Sequence, residues 1–153
     1  MVLIATTWEA EPPRDLHETA PRREVRTANM RTFDLTRVSD IVKYEAEASF
    51  SRDEDTLASG SGIVQTATVL GKVASTGKFK PLAPGASDGT QNAAAVILQR
   101  SDATASDQVV VNLKRHALVV LQKLKWPAGI TDAQRKTALD QLEALGIVAR
   151  NGA

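Results

Sequence analysis

The chain contains no cysteine. Neither a disulfide framework nor a thiolate metal site is open to it, and that absence suits a reducing compartment. Aromatic residues supply only 4% of the sequence. Aromatic side chains bury the most area per residue, so a core drawn from Ala, Val, Leu and Ile is thin and gains from association with copies or a partner. The same scarcity removes the exposed rings on which a barrel that binds single-stranded nucleic acid stacks its bases. An excess of one charge is missing as well: 19 basic side chains face 18 acidic ones, for a formal net charge of +1. A chain that tracks phosphates carries a basic excess or stripe, so nucleic acid is not the expected direct partner. No stretch approaches the roughly twenty apolar residues of a membrane helix. Residues 1–5 are apolar, but they lack a basic leader and meet Glu9 and Glu11 early, so no signal peptide is read there.

What the chain does have is organised around residues 60–99, GSGIVQTATVLGKVASTGKFKPLAPGASDGTQNAAAVILQ. Residues 69–73 form an apolar run with one glycine. Residues 74–77 read as a turn in which Gly77 takes a positive φ. Residues 78–82 alternate polar and apolar, the period of a strand with one buried face. Pro84-Gly85 and Asp88-Gly89 are further turns, and residues 94–98 make a short buried strand. Residues 109–113 and 117–121 read as two more strands, the second continuing to Leu124, with Lys114, Arg115 and His116 as a tight connection or bulge. Trp126-Pro127 is a corner whose peptide bond is open to either isomer. Thr131 and Gln134 frame a capping box, Ala138, Leu139, Leu142 and Leu145 form an apolar helical stripe, and Gly146 ends the helix before residues 147–149 return as a strand.

Few residues point to chemistry. Asp53, Glu54 and Asp55 are contiguous, whereas hard-cation loops space their oxygens, so the trio reads as a solvated face. Gly60-Ser61-Gly62 precedes a strand-like run from Ile63 to Val69 rather than a helix, which argues against a phosphate loop. His17 and His116 are the two histidines, and no Gly-x-Ser-x-Gly elbow accompanies them. No catalytic, metal or cofactor residue is assigned. Phe33, Leu35, Val38, Ile41, Val42 and Tyr44 form an apolar stripe that is neither cleanly helical nor cleanly alternating. It fits an edge strand packed on its own domain, or an arm that adds itself to another protein's sheet through backbone hydrogen bonds. Trp126 is either a core anchor or an interface residue.

The ordered set TVLGKV, TGKFKPL, SDGTQNAAAVIL and SDATASD, followed by LKWPAGITDAQRKTALDQLEALGIVAR, resembles the head decoration proteins of lambda-like tailed phages. Upstream, DIVKYEAEASFSRDEDTLASG resembles the lead-in to that domain, so the likeness covers residues 40–150. It implies a mainly β (α+β) chain, with a small β-clip-like domain, one C-terminal α-helix and an extended N-terminal arm. It also implies homotrimers seated at three-fold positions on an expanded head, on the outside of a virion assembled in the host cytoplasm. The major capsid protein is the implied partner, and the implied role is bracing the shell against packaged DNA, with no cofactor.

On this reading residues 1–29 are a loosely ordered tail, 30–51 the capsid-binding arm and 52–153 the decoration domain. The arm contacts are Phe33, Leu35, Val38, Ile41, Val42 and Tyr44, and Trp126 with Pro127 is a trimer contact. Met30 is an alternative start, since the likeness begins after it. The competing function is a small trimeric β-rich nucleotide-hydrolysing enzyme, for which no family-like set of acids can be assembled.

Overall fold

The computed structural model describes residues 36–152. Residues 1–29, Phe33 and Leu35 lie outside them. The elements run α1 (Val38–Ile41), β1 (Val42–Glu45), α2 (Ala48–Ser51), β2 (Arg52–Leu57), β3 (Gly62–Val64), β4 (Val69–Lys72), β5 (Phe79–Pro81), β6 (Ala93–Ile97), β7 (Ser101–Ala103), β8 (Gln108–Leu113), β9 (Ala117–Val120), α3 (Asp132–Ala144) and β10 (Ile147–Arg150). The architecture is mainly β with a C-terminal helix, as expected. Strands β2, β5, β4, β6 and β8 close into a barrel, β1, β9 and β10 form a three-stranded sheet, and β3 pairs β7.

Two clusters make the core. Leu57, Leu70, Phe79, Ala95, Ile97 and Val110 fill one of them. Val69, Val96, Val119, Leu142 and Ile147 belong to the other, which joins β4 and β6 to the three-stranded sheet and α3. Neighbouring residues of β4 and β6 thus serve opposite faces, and both faces are buried. That is why residues 93–98 are an unbroken apolar run rather than an alternating one.

The capping box forms as expected: the Gln134 amide donates to Thr131 Oγ1 at 3.2 Å, and the Thr131 amide donates to Gln134 Oε1 at 3.0 Å. Ala138 and Leu142 are buried, whereas Leu145, at the helix end, is 39% exposed. Gly146 takes φ +79° and turns the chain directly into β10.

Four expectations are corrected. The apolar run after residue 117 does not stay extended to Leu124; residues Leu121–Lys123 form a 3-10 turn. The run from Ile63 to Val69 breaks at a turn, where Ala67 takes φ +69°, so β3 and β4 enter different sheets. The charged stretch 52–57 is a full barrel strand that pairs with β8 along its length, from Arg52↔Leu113 to Leu57↔Gln108. From Val38 onward, finally, the expected extended arm is a helical turn, a strand on β9 and a second helical turn. Ile41 is buried in the core, and hydrophobic burial holds this segment on its own domain. The Trp126–Pro127 bond is trans.

Candidate functional site

The three-stranded sheet presents one face to the core and one to solvent. β9 lies in the middle, antiparallel to β1 and parallel to β10. Ala117, Val119 and Ile147 are buried on the core side. Strand alternation turns Leu118 and Val148 the other way, and the register sets Tyr44 opposite Leu118 and Val148 opposite Leu118. Tyr44, Leu118 and Val148 therefore line an outward groove of about 440 Å3, with His116 and Arg150 at its rim. Tyr44 is 64% exposed. On the far side of β10, a smaller notch of about 230 Å3 is lined by Leu139, Glu143, Val148, Ala149 and Arg150. The two hollows share Val148 and Arg150, on a strand whose only sheet neighbour among the described residues is β9.

The described members of the expected arm separate by environment. Ile41 is fully buried, and Val38 and Val42 are half-buried against the core. Tyr44 alone of the described four projects into the outward groove. Leu118 and Val148 were not singled out from sequence, because each is an apolar residue inside a short apolar strand and reads there as core; the structure leaves both only partly buried.

A third hollow, of about 300 Å3, is lined by Trp126 and Pro127 together with Pro81, Leu82 and Ile63. Trp126 packs half-buried against the core, and the Arg135 guanidinium lies 5.8 Å from its ring centroid. Ile63, 51% exposed, borders the same hollow and extends the surface around Pro127.

The acidic trio is not simply solvated. Lys114 Nζ lies 3.1 Å from Asp53 Oδ2 and 3.3 Å from Asp55 Oδ1, and Arg115 Nη2 lies 2.5 Å from Asp53 Oδ2. Asn112 Nδ2 donates to Asp55 Oδ2 at 3.2 Å. The Lys114 hydrogen bond, helped by Arg115, holds the Asp53 carboxyl below the usual aspartate range. Asp53 and Asp55 are thus occupied by cations of the chain itself, while Glu54 between them is exposed. Among the described residues no three His, Cys, Asp or Glu side chains converge on a common point. No helix among them is long and apolar enough to cross a membrane.

His116 takes φ +48° in the β8–β9 connection, and its ring lies 5.5 Å from that of Phe50. Arg115 reaches back to the Phe50 carbonyl and to Asp53. The connection expected between β8 and β9 is thus a tight one, and its basic residues clamp α2 and β2.

The surfaces that stand out are apolar hollows on sheet faces and edges, a geometry suited to holding another polypeptide. No curated protein matches the chain. The family model of the bacteriophage lambda head decoration protein D matches residues 34–147. That match spans the three-stranded sheet up to the first residue of β10, the whole barrel and α3, and so the chain belongs to the bacteriophage lambda head decoration protein D family.

Proposed function

We propose that the chain decorates the outside of a phage head, binding the major capsid protein as homotrimers at three-fold positions and bracing the shell against packaged DNA. The observation that carries this reading is the solvent-facing groove of Tyr44, Leu118 and Val148 on a sheet whose first strand, β1, follows α1 near the start of the described residues. In this reading Phe33 and Leu35 engage the capsid lattice, and Tyr44 continues the contact along β1. Val38, Ile41 and Val42 support it from the core side. Trp126 and Pro127, with Ile63 beside them, form the contact between copies.

Each contact is modest, but a trimer touching several capsid subunits gains by multivalency. Binding then depends on an assembled lattice rather than on any single subunit. Assembly takes place in the host cytoplasm and ends on the virion exterior. The enzymatic alternative needs free carboxylates to hold magnesium and direct water. Asp53 and Asp55 are instead engaged by Lys114, which favours the structural role.

The test is co-sedimentation of the purified chain with expanded, undecorated shells, alongside light scattering of the free protein. Saturable binding in multiples of three copies per site is expected. Absence of binding to expanded shells overturns the reading.

A further inference from the structure

We propose that Asn151 is a site of spontaneous deamidation, which places a new carboxylate at the end of β10. The site does not depend on the decoration role. Succinimide formation requires the backbone nitrogen of the next residue to reach the asparagine side-chain carbon. A following glycine removes the Cβ that would crowd that approach. Asn151 and Gly152 are both exposed and lie past the last residue of β10. A Cβ built at Gly152 meets nothing within 4 Å, so the space around its Cα is open. Among the described residues, the Gly152 amide is held by a hydrogen bond that it donates to Gln122 Oε1 at 3.1 Å.

The other turn with this chemistry is closed. At Asp88-Gly89, the Asp88 Oδ1 accepts from the Thr90 amide at 3.0 Å and from Thr90 Oγ1 at 2.5 Å. The Gly89 amide donates to Gln91 Oε1 at 2.8 Å. A Cβ at Gly89 would stand 2.5 Å from the Lys72 carbonyl oxygen, so the backbone there has no room to swing. Asn112 is fully buried within β8 and is followed by leucine, and Asn92 is followed by alanine and bonded to Gln141.

The step balances without any cofactor. The deprotonated Gly152 nitrogen attacks Cγ of Asn151. The new N–Cγ bond forms as the Cγ–Nδ2 bond breaks, and ammonia leaves. Water then opens the ring. Cleavage at Cγ gives aspartate, and cleavage at the main-chain carbonyl gives isoaspartate. Either product is an anion next to Arg150, at the edge where the two β10 hollows meet. The Gln122 side chain acts as a latch, because the Gly152 N–H must leave it before the nitrogen can attack.

The experiment incubates the full chain in mildly alkaline buffer and follows it by peptide mapping and isoaspartyl methyltransferase labelling. Conversion is expected in the Asn151 peptide, faster at higher pH, while the peptides carrying Asp88, Asn92 and Asn112 stay unchanged. Gly152→Ala slows it by at least about tenfold, since the added Cβ crowds the attack. Asn151→Gln abolishes it and Gln122→Ala accelerates it. An Asn151 peptide that converts no faster than the Asn92 or Asp88 peptide overturns the proposal, and an unchanged rate in Gln122→Ala overturns the latch.

Discussion

Arg52 grips Glu45 at two points, Nε to Oε2 at 2.9 Å and Nη2 to Oε1 at 2.5 Å. Glu45 ends β1 and Arg52 begins β2, so the pair closes the loop between the outer sheet and the barrel. It is a two-point charge-assisted bond between partly shielded groups, the geometry in which an ion pair is worth most. The Glu45 contact raises the Arg52 guanidinium above its ordinary value, and the charge is retained at any working pH. A double-mutant cycle of Glu45→Ala and Arg52→Ala is expected to give a coupling of about 0.5–1 kcal/mol that shrinks with added salt. Hydrogen exchange should show β1 opening before the barrel does in either single variant.

The cluster of Asp53 with Lys114 and Arg115 predicts a direction with pH. The Asp53 carboxyl is held down chiefly by the Lys114 hydrogen bond. Its contribution is therefore complete above the ordinary aspartate pKa of about 3.9 and is lost as pH falls through the lower folded value. Asp53→Asn should be less stable than the parent at neutral pH, and the gap should close on acidification. Urea melts at a series of pH values check this. A gap that widens towards acid contradicts the assignment.

Gly71 predicts a large effect from a single methyl group. A Cβ at this position would lie 2.3 Å from the Thr90 carbonyl oxygen and 2.6 Å from its Cα, both of them backbone atoms. Backbone cannot swing aside as a side chain does. Gly71→Ala should cost about 1–3 kcal/mol or more through overpacking. Gly85→Ala is the control, because a Cβ there meets nothing within 4 Å. Thermal unfolding of the two variants should differ clearly, with Gly85→Ala close to the parent.

Leu142 anchors α3. It is fully buried, while its stripe-mate Leu145 is partly exposed. Leu142→Ala should cost about 2–5 kcal/mol and Leu145→Ala much less. Urea denaturation measures both. Equal losses would mean that the helix packs on a different face.

These cases also mark how far the sequence could be read. α3 was legible because its start, stripe and stop are all local: Thr131 and Gln134, then Ala138 and Leu142, then Gly146. Strands β4, β5, β6 and β8 were legible because burial dictates their apolar content. β2 was not, because Arg52, Asp53, Glu54 and Asp55 look like loop residues until Lys114 and Arg115 are seen beside them, and that neighbour is 62 positions away for Asp53 and Arg115. The 3-10 turn after β9 was hidden too, since Leu121 and Leu124 stay apolar in either conformation and periodicity cannot tell the two apart. The outward groove needed the sheet itself: Leu118 and Val148 look like core residues until the register puts them on one open face.

The expected arm residues give the most discriminating prediction, because burial divides them. Ile41 has no exposed surface and Tyr44 keeps 64% of its own. Ile41→Ala removes core volume and should cost about 2–5 kcal/mol of stability. Tyr44→Ala removes a ring that solvent already reaches, so its melting curve should lie close to that of the parent. If the groove beside Leu118 and Val148 receives the capsid, Tyr44→Ala should weaken co-sedimentation with expanded shells by about tenfold, or about 1.4 kcal/mol. Ile41→Ala, assayed well below its melting temperature, should bind nearly as the parent does. The reverse pattern, with Tyr44→Ala neutral and Ile41→Ala defective while folded, would move the docking surface away from this sheet and onto the leading segment alone.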